Sequence, residues 1–159
     1  MAIIYETKNF ILESHEHPFV SREEGGHLRL KIKDVSVSDR TQLDLEIAYE
    51  YMYLSMIAGE SLEKAMNKCG VNVVKVNYQD MGNWAFKKNK TPYLHMHIIG
   101  RAKDAKVQVF PESVQLPDRS TGFYDLFKPL NEEDIKEIKK QMEFLLQEEK
   151  YQNNKWKLN

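Results

Sequence analysis

The run "TPYLHMHIIGR", residues 91–101, sets His95 and His97 two apart in an apolar stretch, in a chain with only five histidines. If the run is a strand, Tyr93, His95 and His97 share one face while Leu94, Met96 and Ile98 share the other. Two strand residues span about 6.6 Å, so both rings reach one small substrate. A neutral imidazole is a competent nucleophile near neutral pH and can carry a covalent intermediate. A second donor beside it stabilises charge that develops on phosphoryl oxygens. Lys87, Lys88, Lys90, Arg101, Lys103 and Lys106 surround the run against Asp104 alone, a balance suited to an anionic ligand. Two other readings compete. Alternate strand histidines also bind zinc or iron, which here requires a third ligand from His15, His17 or His27 elsewhere in the chain. Half-exposed strand histidines with no special role are the plainest reading.

The elements that must position this run can be read around it. "IIYETKNFILESHEHPFV" predicts one or two short strands ending in a turn at "HPF". After Gly25-Gly26, "HLRLKIK" alternates, with Leu28, Leu30 and Ile32 on one face and His27, Arg29, Lys31 and Lys33 on the other. Residues 41–68 predict a long amphipathic helix through Leu43, Ile47, Tyr51, Leu54, Ala58, Leu62, Ala65 and Met66. Ser38, Asp39 or Thr41 would cap it, and Gly70 would end it. "VNVVKVNY" is a β-branched strand, "QDMGNWAFKKNK" a polar loop, and "PYLHMHIIG" the next strand. Residues 103–130 carry Pro111, Pro117, Gly122 and Pro129 and predict an irregular excursion with one short strand at "KVQVF". A helix follows over 132–149, with Asn131 as N-cap, Leu130 and Ile135 as hydrophobic staple, and Ile138, Met142, Leu145 and Leu146 in its stripe. Trp156 and Leu158 in the polar tail could dock on the rest. The sum is a single α+β domain, an antiparallel sheet of about five strands with a long central helix and a C-terminal helix.

Bulk properties narrow the partners. At 159 residues, 42% hydrophobic and 30% charged, the chain is long and apolar enough for a real core. A net charge of −1 argues against a nucleic-acid polymer as partner. The lone Cys69 excludes an internal disulfide, and no secretory leader or membrane span is legible, so a cytoplasmic protein without a membrane partner is expected.

"YLHMHIIGR" resembles the signature of the histidine-triad (HIT) family: three alternating histidines separated by apolar residues, the third followed by two apolar residues and often Gly or Pro. The resemblance covers about residues 5–105, in element order as well as motif, and leaves 106–159 as an elaboration. It makes His97 the third member and His95 the middle one, with Tyr93 at the first position. It implies that His95 attacks the α-phosphate of a nucleotide ester, anhydride or amidate, forming a nucleotidyl-histidine that water hydrolyses. His97 then binds the phosphate or orients the site. It implies a homodimer whose long helices pair, with Tyr49, Tyr51, Met52 and Tyr53 at the interface. Asn77 matches the family's phosphate-side asparagine, and Thr91 stands near its usual hydroxyl. Other departures are "KIKDVSV" in place of Pro-Lys-x-His, and the missing Gly-Gln-Ser run before the motif.

Asn83 and Arg101 complete the expected substrate contacts together with Arg119, a guanidinium on a loop long enough to act as a lid. His15 and His17 read as exposed turn residues with room for a phosphate or base contact. No metal is required for the chemistry, and magnesium is expected only as companion to a polyphosphate substrate. The expected function is therefore a nucleotide hydrolase or nucleotidyl transferase, for example on dinucleoside polyphosphates. A nucleotide- or partner-binding module with little turnover is the alternative, and a metal-dependent enzyme the third.

Overall fold

The computed structural model describes residues 1–152, so the expected docking of Trp156 and Leu158 lies outside the described residues. Five strands, β1 (Ile3–Glu6), β2 (Phe10–Ser14), β3 (His27–Ile32), β4 (Val73–Asp80) and β5 (His95–Ala102), form one sheet in the order β1-β2-β3-β5-β4. All pairings are antiparallel. The strand that carries both histidines is therefore interior, held by ladders on both sides. The α+β architecture expected from the sequence is the one observed. No helix among the described residues is long and apolar enough to cross a membrane.

Period-two patterning decides which face meets the helices. Leu28, Leu30 and Ile32 of β3 and Met96, Ile98 and Ala102 of β5 are buried against Tyr51, Leu54, Ala58, Leu62 and Ala65 of helix α1 (Leu45–Lys68). Each large aliphatic or aromatic side chain buried there contributes about 1.5–3 kcal/mol before entropy is counted. Helix α3 (Glu132–Leu145) adds Ile138, Met142 and Leu145 to the same core.

Helix boundaries differ from expectation for identifiable reasons. Asp39 does cap, but it caps a 3-10 turn at Arg40–Gln42, with the Gln42 side chain returning the bond. Leu43 is then extended, and α1 begins only at Leu45, where the Asp44 carboxylate accepts from the Ile47 N–H. The polar loop 79–90 holds one helical turn, α2 (Asn83–Phe86). Helix α3 starts as predicted, with Asn131 and Asp134 in a reciprocal capping box, and Asp134 also takes both Nε and Nη2 of Arg22. It stops four residues short of the predicted end because the chain turns back to seat Tyr151, whose hydroxyl donates to Glu60 of α1.

The opposite face of the sheet is covered by the excursion after β5. Phe19, Val20, Ile99 and Tyr124 form a second buried cluster, with Met81, Trp84, Leu116 and Phe127 packed on it. The expected strand at "KVQVF" does not form. The Glu24 carboxylate accepts from the backbone N–H of Lys106, Val107 and Gln108 at 2.7, 2.7 and 2.9 Å, leaving those donors unable to join a ladder. Gly25 lets this turn press on the sheet: a Cβ there would lie 2.2 Å from the Gly100 carbonyl oxygen, and its φ is +133°.

Arg101 anchors the same segment from β5, donating to the carbonyls of Gln108, Val109 and Glu112. Replacing it with methionine keeps the stem but leaves those carbonyls without their donor. We expect Arg101→Met to raise the rate of proteolysis within residues 105–116 at least several-fold, by limited digestion and mass mapping, with the sheet still folded.

Candidate functional site

The histidine face of β5 lies beneath α2, the turn at Phe19 and the 116–124 loop, which together enclose a cavity of about 480 Å³. His95, His97, Tyr93, Asn83 and Arg119, all singled out in the sequence, line it together. Asn77 and Arg101 do not. Asn77 stands opposite Ile99 and accepts from Arg101, and Arg101 is 2% exposed with its guanidinium on loop carbonyls. These two expected substrate contacts are employed in the scaffold. Thr91 is exposed and lies outside the cavity lining.

Hydrogen bonds assign the protonation of the two rings. His95 Nδ1 lies 2.8 Å from the Tyr93 carbonyl oxygen, which can only accept, so Nδ1 carries the proton and Nε2 keeps its lone pair. The Tyr93 carbonyl precedes the regular strand, which begins only at His95. Burial lowers the His95 pKa below its ordinary value, an effect partly offset by that carbonyl, and the ring is neutral at pH 7.

His97 belongs to a chain of donors that the sequence reading did not identify. The Phe19 N–H donates to His27 Nδ1 at 3.0 Å, so His27 must carry its proton on Nε2. That Nε2–H lies 2.9 Å from His97 Nδ1 and donates to it. His97 is then protonated on Nε2, the nitrogen not engaged by His27. Burial drives the His97 pKa down to about 2 and the His27 pKa well below its usual value, so both rings are neutral. His27 lies 70 positions from His97, and what joins them is the β3–β5 register, Arg29 opposite His97 and His27 opposite Ile99. The signal present in the sequence was the shared polar face of "HLRLKIK".

Phenylalanine at position 27 would fill the volume yet strand both the Phe19 N–H and His97 Nδ1. His27→Phe is expected to cost about 2–4 kcal/mol of stability in denaturant unfolding, since two buried polar groups lose partners.

Positive charge surrounds the cavity. Arg29 faces it beside His97 in register and is ion-paired to the buried Glu13. Lys87 is ion-paired to Asp118 across the mouth. Arg119 sits 4.9 Å from the ring centroids of Phe19 and Tyr124 and 5.8 Å from that of Trp84, and donates to the His17 carbonyl at 2.7 Å.

A metal would have to use His15, His27 and His97, whose ligand nitrogens lie within 4.8 Å of one another. The arrangement does not fit an ion as it stands. The His15 and His27 rings stack with centroids 4.4 Å apart and planes 9° apart, so an ion between them does not lie in both ring planes, as in-plane nitrogen coordination requires. His27 Nε2 is also committed as a proton donor.

Neither a protein-family model nor a curated protein sequence matches the chain. Solved structures do. A histidine triad protein from Marinobacter aquaeolei VT8 superposes with a TM-score of 0.60 at 17% identity, over 91% of this chain and 88% of its own. A hypothetical histidine triad nucleotide-binding protein from Sulfolobus tokodaii strain7 gives 0.56 at 17%, over 91% and 85%. A zinc-bound histidine triad family protein from Mycobacterium smegmatis gives 0.56 at 17%, over 91% and 87%. At such identities the likeness is one of architecture, and at 91% of the chain it covers more than the residues 5–105 of the motif resemblance. The chain has the histidine-triad fold, with His95 and His97 on an interior strand of its sheet and Tyr93 just before that strand.

Proposed function

We propose that the protein hydrolyses nucleotide phosphoanhydrides or phosphoramidates, or transfers their nucleotidyl group, through a covalent intermediate on His95. The observation that carries this reading is the pairing of an unprotonated Nε2 on His95 with a protonated Nε2 on His97 in one cation-rimmed cavity. The nucleotide-binding description of the Sulfolobus neighbour agrees with it.

In the first step the His95 Nε2 lone pair forms a bond to the α-phosphorus, and the bond to the leaving group breaks with its electron pair going to the leaving group. The leaving group of an amidate takes up a proton from solvent and departs as the amine. Positive charge then spreads over the His95 ring and is stabilised by the Nδ1–H bond to the Tyr93 carbonyl. His97 Nε2–H donates to a non-bridging phosphoryl oxygen as charge builds there. In the second step water attacks the phosphorus and releases a proton to solvent, and Nε2 leaves with its electron pair, restoring neutral His95. Transfer replaces the water by another hydroxyl. No step needs a metal on the protein, and magnesium would enter only with a polyphosphate substrate. A homodimer is part of the same proposal.

The test is a labelling experiment with and without chelator. Wild-type protein mixed with adenosine and guanosine polyphosphates and amidates, then quenched, should carry a nucleotidyl group on His95 by peptide mass spectrometry. Nucleotide binding with no label and no turnover would instead mark a binding module, and turnover abolished by chelator would mark a metal enzyme.

A further inference from the structure

The cavity holds more phosphate-binding capacity than a single reacting phosphorus requires. Of the four cations on its lining, Arg29 is paired with Glu13 and Lys87 with Asp118, while Lys88 is exposed. Arg119 differs from all three. Among the described residues it makes no ion pair, and its hydrogen bond to the His17 carbonyl leaves most of its N–H groups uncommitted. Its place is nevertheless fixed, because Phe19, Tyr124 and Trp84 surround the guanidinium within 6 Å. A planar, pre-organised fork without a carboxylate partner matches a phosphate held bidentately. The Phe19 ring against which it packs lies 5.0 Å from the ring of His97, which places it on the His97 side of the site.

Resting on the proposed chemistry at His95, we infer that Arg119 binds a second phosphate joined to the one that reacts, and so selects substrates with two or more linked phosphates over those with one. The residue lies in the excursion after β5, carried by a 3-10 turn (Arg119–Thr121) that Asp118 caps through the Ser120 N–H. Selectivity is thus built by the segment that closes the cavity, while the reacting groups sit on the sheet. A guanidinium serving only to pin the loop would support both kinds of ligand equally, and the two roles separate in a ratio.

The experiment is calorimetric binding of AMP and ADP, with GMP and GDP in parallel, to wild type, Arg119→Gln and Arg119→Lys. Wild type should bind the diphosphate about 10- to 100-fold more tightly than the monophosphate, the range of a charge-assisted bidentate contact. In Arg119→Gln that ratio should fall to within about threefold, and Arg119→Lys, which keeps charge without the fork, should lie between. The ratio is taken within each variant, so partial unfolding changes both affinities together and does not imitate the result. A wild type without preference, a preference that survives in Arg119→Gln, or no binding of either diphosphate would overturn the inference. A diphosphate preference without labelling of His95 would keep Arg119 and remove the covalent reading; labelling without preference would do the reverse.

Discussion

Alanine at His95 is expected to lower kcat/KM by about 10⁴-fold or more, the order seen when a covalent nucleophile is removed and only binding and electrostatic stabilisation remain. The size follows from the division of labour in the cavity. His95 supplies the only lone pair aimed at phosphorus in the proposed steps, whereas His97 contributes a hydrogen bond, and loss of such a donor costs about 10²–10³-fold. His97→Ala should therefore turn over more slowly yet still label, while His95→Ala should not label at all. Stability should barely follow, since His95 is half-buried and gives up one hydrogen bond to a carbonyl, worth about 1 kcal/mol. Unchanged turnover in a folded His95→Ala protein would remove the nucleophile assignment.

Stability should fall steeply below neutrality. His15, His27 and His97 are held neutral mainly by burial, with the neighbouring histidines and arginines adding to the effect, and the pKa of His15 is pushed down to about 3 and that of His97 to about 2. In the unfolded chain each would titrate near 6.5, so between pH 6.5 and about 3 the unfolded state binds protons that the native state refuses. Stability must then rise with pH across that window and be lost as pH falls. Below pH 6.5 each histidine contributes about 1.4 kcal/mol per pH unit, and little above it, so three amount to about 4 kcal/mol between pH 7.5 and 5.5. Guanidinium unfolding midpoints at the two pH values measure this. His15→Phe, which keeps an aromatic ring beside His27 and Phe19, should remove about a third of the dependence. A midpoint that does not move between the two pH values would mean that the cluster is hydrated or already charged.

The excursion and the cluster show where local pattern gave way to tertiary demand. "KVQVF" has the residues of a strand, yet its donors are taken by Glu24, which lies more than 80 positions earlier in the chain. Asp39 has the chemistry of an N-cap and acts as one, but for a separate turn, because a second carboxylate at Asp44 competes for the start of α1. Arg101 looks like a phosphate ligand by type and position. Its burial under the loop is invisible without the fold.

Short-range patterning determined the sheet, the long helix and the face on which His95 and His97 stand. Alternation and 3.6-residue periodicity act over a few residues and survive any arrangement of the rest of the chain. The same alternation aligned Tyr93 with them and placed His27 on a polar strand face. Tertiary structure alone decided what those groups became. Antiparallel pairing of β3 with β5 brought His27 onto His97 and set both tautomers. The folding of residues 103–130 over the sheet made a cavity of an open face, carried Arg119 into it and buried Arg101 beneath it. Proton positions and ligand selectivity depend on contacts between segments tens of residues apart, and those exist only once the chain has closed on itself.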